Sequence, residues 1–135
     1  MKIVTLTLSA AFDVHCEANS LEIGKENFAS ITERNAGGKG INISRALNAF
    51  GVKNTAVAVL GEENSKEFLN KLNSDGVTVE KITVPGRIRE NLTVHTGDGK
   101  ETRISFGSTS VSGEVLSAIE KLTDGILGEI GRAHV

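Results

Sequence analysis

The segment Asn35-Ala36-Gly37-Gly38-Lys39-Gly40-Ile41-Asn42-Ile43-Ser44-Arg45 constrains the fold more than any other, because three closely spaced glycines lead straight into an amphipathic helix. In residues 41–50 the apolar side chains Ile43, Ala46, Leu47 and Phe50 recur at i, i+3, i+4 and i+7, the spacing of one helix face. Gly51 then stands where a C-terminal cap belongs. Residues 55–60 (TAVAVL) follow as a strand buried on both faces and closed by Gly61. A tight turn, a helix and a fully apolar strand in succession call for a helix laid on a parallel sheet.

The rest of the chain keeps to this alternation. Residues 2–8 place Ile3, Val4, Leu6 and Leu8 among threonines, as a buried strand would. Shorter strands are predicted at residues 12–16 and around Ile31. Asn64, three residues before Glu67, resembles a capping box. The helix it opens carries Phe68, Leu69 and Leu72 on one face and ends at Gly76. Residues 77–84 alternate until Pro85-Gly86 breaks them. Residues 91–96 and 102–106 flank Gly97-Asp98-Gly99-Lys100, a hairpin signal with Asp-Gly at its turn. Residues 112–122 predict a helix with Val115, Leu116, Ile119 and Leu122 inward. The expectation is an α/β fold, a parallel sheet flanked by helices. The hairpin falls outside the alternation and is placed in a small β layer or flap.

Composition narrows the function classes. A net charge of −2 with scattered basic residues gives no field for nucleic acid or an anionic membrane. The single cysteine, Cys16, cannot form an internal disulfide, which points to a reducing cytoplasmic compartment. With nothing nearby to lower its pKa it reads as a small buried apolar residue. The N-terminus reads as a strand rather than a signal peptide, and no stretch has the length of a membrane span. At 135 residues one domain is expected.

Glycines at a helix start bring backbone N–H groups and a positive dipole end close to a ligand, which suits an anion or a hydroxyl-rich molecule. The run is not a Walker A loop, since Lys39 is followed by Gly40 and Glu33 stands at the first required glycine. Nor does it have the strand and acidic partner of a dinucleotide fingerprint. The plain alternative is a tight strand-to-helix turn, which needs fewer glycines than are present. Asp13 is an acceptor-only carboxylate suited to sugar hydroxyls, or a capped strand end. Asn42 offers both donor and acceptor, or serves as a helix-start residue. Lys39 and Arg89 suit a phosphate as point charge and fork, with Arg87 the weaker candidate.

GGKGINISRALNAFG resembles the first signature of the PfkB (ribokinase-like) carbohydrate kinases, in which a Gly-Gly pair, an Asn, a small residue and a later Gly follow in order. Here these are Gly37-Gly38, Asn42, Ser44 and Gly51. The lysine in GGKGIN is similar to the branch containing 1-phosphofructokinase and tagatose-6-phosphate kinase. Residues 6–13 (LTLSAAFD) resemble that branch's TLNPAxD opening, and residues 86–91 (GRIREN) its GxTRxN segment. Ser9-Ala10 replaces Asn-Pro and Ile88 replaces Thr, which leaves the exact sugar open. The resemblance implies substrate binding by Asp13, Gly37, Gly38, Lys39, Asn42 and Arg89. It also implies a β lid that can pair with a second subunit as a homodimer. The reaction implied is phosphorylation of a phosphorylated hexose with ATP and Mg²⁺, 1-phosphofructokinase first. Tagatose-6-phosphate kinase, another ribokinase-like sugar or nucleoside kinase, and a non-catalytic phosphosugar-binding protein are the alternatives.

The family's late GAGD segment, which brings the catalytic aspartate and an anion hole, has no counterpart in these residues. No catalytic residue is therefore assigned, and the chain alone is expected to be inactive and to hold ATP poorly. Residues 1–128 are read as the N-terminal part of the kinase domain. The last six residues, IGRAHV, are what a common sequencing adapter encodes in one frame, so residues 129–135 are read as a non-native tail. His15 and His95 fall in predicted flap strands without the spacing of a triad or a metal site.

Overall fold

The computed structural model describes residues 1–107 and 111–128, so the expectation for residues 129–135 lies outside the described residues. The elements run β1 (Val4–Thr7), β2 (Ala11–Ala18), β3 (Ser30–Gly37), α1 (Lys39–Ala49), β4 (Thr55–Gly61), α2 (Ser65–Ser74), β5 (Val79–Val84), β6 (Arg89–Thr96), β7 (Glu101–Ile104) and α3 (Gly113–Leu127). Two sheets result. One is parallel, in the order β1-β4-β5, and the other is mixed, in the order β3-β2-β6-β7.

In the parallel sheet β4 is central, and Ala56, Val57, Ala58 and Leu60 are fully buried, as its unbroken apolar run requires. Strand β1 departs from expectation. Its buried side chains are Thr5 and Thr7, while Leu6 and Leu8 are half exposed. The threonines face inward because α1 uses their hydroxyls: Thr7 Oγ1 accepts from Ile41 N at 3.1 Å, and the Thr5 and Ser44 hydroxyls lie 2.7 Å apart. The same contact re-aims α1. Gly40, Ile41 and Ser44 face the sheet, whereas Ile43 is 53% and Phe50 85% exposed. The predicted apolar stripe thus points outward, because a helix this close to β1 needs small residues at the contact. A Cβ on Gly40 would lie 2.5 Å from Leu6 O.

Both early helices stop where their glycines predict. Val52 N reaches Leu47 O and Gly51 N reaches Asn48 O; Val77 N and Gly76 N repeat this with Leu72 O and Asn73 O. These are Schellman motifs with Gly51 and Gly76 at φ +73. Helix α3 starts at Ser112, whose Oγ accepts from Val115 N at 3.3 Å. It runs beyond the predicted end to Leu127, with Ile119 buried but Leu116 half exposed.

The capping box at α2 does not form. Asn64 is the N-cap, yet its side chain makes no cap bond. It crosses instead to the segment before β6, accepting from Ile88 N at 2.8 Å and donating to Ile88 O at 3.1 Å. Asn64 there acts as one more residue of backbone. Asn64→Ala would orphan both groups of the buried Ile88 and is expected to cost about 2–4 kcal/mol. Chemical denaturation should show a lower midpoint at unchanged slope.

The second sheet is larger than the flap expected, with eight-residue strands at β2, β3 and β6. Its apolar face carries Phe12, Val14, Cys16 and Val94 into the common core with Ile41, Leu60, Phe68 and Leu72. Phe12 and Phe68 meet edge to face at 5.2 Å, a contact that adds to area burial. Arg34 from β3 lies 4.2 Å over the Phe12 ring and pairs with Glu67 of α2 at 3.2 Å and with Glu90 of β6. These contacts tie α2 to the second sheet. The β6–β7 turn forms at Asp98-Gly99, with Gly99 at φ +81. The Thr96 hydroxyl, then the Lys100 backbone N–H, holds the exposed Asp98 carboxyl below the usual carboxylate range.

Candidate functional site

Strand alternation builds one wall of the site. Because Phe12 and Val14 point into the core, their neighbours Ala11, Asp13 and His15 point to the other face of the second sheet. Register then lines up their cross-strand partners. Ala11 is flanked by Gly37 and Arg89, Asp13 by Asn35 and Asn91, and His15 by Glu33 and Thr93. Arg103 of β7 pairs with Thr93 in the same row. One face of this sheet is therefore polar from edge to edge.

The opposite wall is the start of α1. Gly38 caps the helix at φ +147, a conformation open to glycine, and a Cβ there would lie 2.5 Å from Thr7 Cγ2. A Cβ on Gly37 would overlap Asp13 Oδ2, so this glycine lets the carboxylate lie against the backbone. Lys39 opens the helix, and Asn42 sits one turn in, its N–H donating to Gly38 O at 2.8 Å. Arg45 fixes the Asn42 amide by donating to its Oδ1 at 3.0 Å, which leaves the Asn42 NH₂ to face a ligand. Asp75 neutralises Arg45 at 2.7 Å.

Between the walls lies a cleft of about 480 Å³ lined by Asp13, Gly38, Lys39, Asn42, Arg89 and Arg103, among others. A second hollow of about 540 Å³ shares Asp13 and Asn42 and takes in Gly37 and His15. Of the six residues expected to bind substrate, Gly38, Lys39 and Arg89 line the first hollow, Gly37 the second, and Asp13 and Asn42 both. The first hollow holds three cations, Lys39, Arg89 and Arg103, against the single carboxylate of Asp13. Two of its polar atoms, Ser9 Oγ and Arg89 Nε, are buried without a protein partner. Orphaned donors are costly in a closed structure and are what an incoming oxygen ligand would satisfy.

Arg87 stays outside this cleft, near Glu63 at 3.7 Å. Arg103, Asn91 and Arg45 were not among the expected site residues. Nor was the histidine pair: His15 Nδ1 lies 3.0 Å from His95 Nε2, and His95 Nδ1 lies 3.2 Å from Glu101 Oε1. If the Glu101 carboxylate accepts from His95, then His95 Nε2 accepts from His15. Among the described residues no three His, Cys, Asp or Glu side chains group as a metal site would need, and no helix is long and apolar enough to cross a membrane.

Comparison with known proteins matches residues 10–121 to the pfkB family of carbohydrate kinases. The 1-phosphofructokinase of Vibrio cholerae is 29% identical over 119 residues, covering 88% of this chain and 38% of that protein. That of Bacillus subtilis strain 168 is 33% identical over 116 residues, covering 86% of this chain and 38% of that protein. Among solved structures, phosphofructokinase-2 from Escherichia coli in complex with fructose-6-phosphate superposes with a TM-score of 0.84 at 23% identity, over 93% of this chain and 42% of that one. This likeness establishes the ribokinase-like α/β fold expected from the sequence. The chain spans 38% of the length of these two curated relatives.

Proposed function

Because this chain belongs to the pfkB family of carbohydrate kinases, we propose that its cleft binds a phosphorylated hexose, with fructose 1-phosphate first and tagatose 6-phosphate as the alternative. The whole protein would then be a cytoplasmic sugar-phosphate kinase that phosphorylates the C6 hydroxyl of fructose 1-phosphate. The observation that carries this reading is the charge in the cleft, three cations against one carboxylate, beside a glycine-walled helix start. A dianionic phosphate with a hydroxyl-bearing body matches both.

Each residue has a task in this reading. Asp13 accepts hydrogen bonds from sugar hydroxyls, and the Asn42 NH₂ donates to a sugar oxygen. Lys39 and Arg89 neutralise the phosphate, and the Gly37 and Gly38 backbone lets the sugar approach the helix start. ATP with Mg²⁺ supplies the phosphoryl group to enzymes of this kind. Neither the GAGD-type base nor a group of metal ligands is found among the described residues, so no step is assigned to either here. Phosphoryl transfer rests on positioning and charge stabilisation, and this chain supplies the sugar side of it. Strand β3 lies at an edge of the second sheet, where Phe28 and Ile31 are exposed. That supports pairing of two subunits through this sheet.

Titration calorimetry tests the reading. Fructose 1-phosphate should bind the chain at least tenfold more tightly than fructose, and ranking it against fructose 6-phosphate and tagatose 6-phosphate identifies the sugar. With MgATP present the chain alone should form no ADP above background. Equal affinity for fructose and its phosphate would overturn the reading.

A further inference from the structure

We propose that Glu101, His95 and His15 form a proton-linked switch, through which one proton from solvent adds a positive charge beside the second hollow and strengthens its hold on an anionic ligand. The inference rests on the phosphosugar reading above and uses side chains to which that reading gives no task. Register brings them together: His15 lies beside Thr93 of β6, and His95 beside Glu101 of β7, on the polar face of the second sheet. His15 Nδ1 and His95 Nε2 are 3.0 Å apart. The ring centroids are 5.4 Å apart and the ring planes 18° from parallel. Rings spaced in this way lie end to end rather than face to face, so the bond between them runs in line. At the other end of the chain His95 Nδ1 lies 3.2 Å from Glu101 Oε1, on a side chain that is 65% exposed.

Hydrogen-bond chemistry fixes where each proton sits. A carboxylate only accepts, so His95 carries its proton on Nδ1 and offers the lone pair of Nε2. His15 must then donate from Nδ1, which leaves Nε2 as its one basic nitrogen. The same His15 lines the second hollow with Asp13, Gly37 and Arg45. A proton taken from solvent therefore adds at His15 Nε2. It turns an acceptor into a charged donor and breaks no bond in the chain. The charged groups around this ring are mostly acidic. Asp13 and Glu17 flank it on β2, Glu33 is its partner on β3, and Asp75 of α2 lines the same hollow. The nearby bases among the described residues are Arg45, which is paired with Asp75, and Arg103, which lies 3.7 Å from Asp13. A bound phosphate dianion adds to this negative surround, so its arrival draws a proton to His15. Imidazole is the side chain that changes charge between about pH 5 and pH 8. By linkage, a ligand that favours the protonated form binds more tightly as pH falls.

Titration calorimetry near neutral pH, repeated in buffers of different ionisation enthalpy, counts the protons taken up with fructose 1-phosphate. The wild-type chain should take up a fraction of a proton that His15→Asn does not. Glu101→Gln should take up less than wild type, because its amide keeps an acceptor for His95 but loses the charge. From about pH 8 to about pH 6.5, inside the imidazole range, wild-type affinity for fructose 1-phosphate should rise relative to His15→Asn. The expected gain is about three- to tenfold, the size of one charge change near a surface, with fructose within twofold. Comparison with the variant removes the ligand's own ionisation. Equal proton uptake in wild type and His15→Asn would overturn the proposal. So would unchanged uptake in Glu101→Gln, or a matching pH profile for fructose, which marks an effect on the fold. A wild-type chain with no preference for the phosphorylated sugar overturns the phosphosugar reading and this one together. A preference without His15-dependent proton uptake overturns this one alone.

Discussion

Gly38→Ala is expected to destabilise the chain by about 2–6 kcal/mol. The residue sits at φ +147, where an alanine is strained by roughly 1–3 kcal/mol. Its Cβ would also press on Thr7 Cγ2 at 2.5 Å, and overpacking of this kind costs a further 1–3 kcal/mol or so. Relief would push Thr7 away and weaken the bond from Ile41 N to Thr7 Oγ1 that caps α1. Gly37→Ala is the informative contrast. Its new methyl meets only the far end of the Asp13 side chain closely, and that end can rotate. Stability should change by about 1 kcal/mol or less, while fructose 1-phosphate affinity falls because Asp13 is displaced. Denaturation and calorimetry on the two variants separate a folding glycine from a binding one. Equal loss of stability in both would contradict the geometry.

Arg89→Ala should weaken fructose 1-phosphate by about 3 kcal/mol, a hundredfold or more, as expected for truncating one partner of a desolvated charge pair. Arg89 begins β6, is backed by the Phe106 carbonyl, and presents a buried Nε with no protein acceptor. Fructose affinity should be nearly unaffected. Arg87→Ala is the control, since Arg87 faces Glu63 outside the cleft and its loss should change neither ligand by more than about twofold. A similar drop from both arginines would reduce the effect to general electrostatics.

Much of this arrangement could be read from the chain, and what could not has definite causes. The run TAVAVL, the caps at Gly51 and Gly76, and the Asp98-Gly99 hairpin are local signals, and each formed where its chemistry required. The faces of β1 and α1 were misread because hydropathy ranks leucine above threonine. The deciding term was instead close approach, which selects Gly40 and Ser44 and uses the hydroxyls of Thr5 and Thr7. Asn64 looked like a cap because sequence shows only its own helix, whereas its partner Ile88 lies 24 residues away. The six candidate residues were singled out by motif resemblance, with residue chemistry alone leaving an ordinary structural role open for each. Alternation of Asn91, Thr93 and His95 with Leu92 and Val94, and pairing across the hairpin turn, put Asn91 and Arg103 on one face, but do not by themselves bring it beside Asp13. The His15–His95 contact joins residues 80 apart and depends on the parallel pairing of β2 with β6, which no local pattern encodes.

The most direct measurement is amide and arginine side-chain chemical-shift mapping of the labelled chain titrated with fructose 1-phosphate. Saturable shifts are predicted at Gly37, Gly38, Lys39 and Asn42 and at the Arg89 Nε–H, with none along the buried strand β4. Shifts that never saturate, or that cluster away from the start of α1, would contradict the phosphosugar cleft.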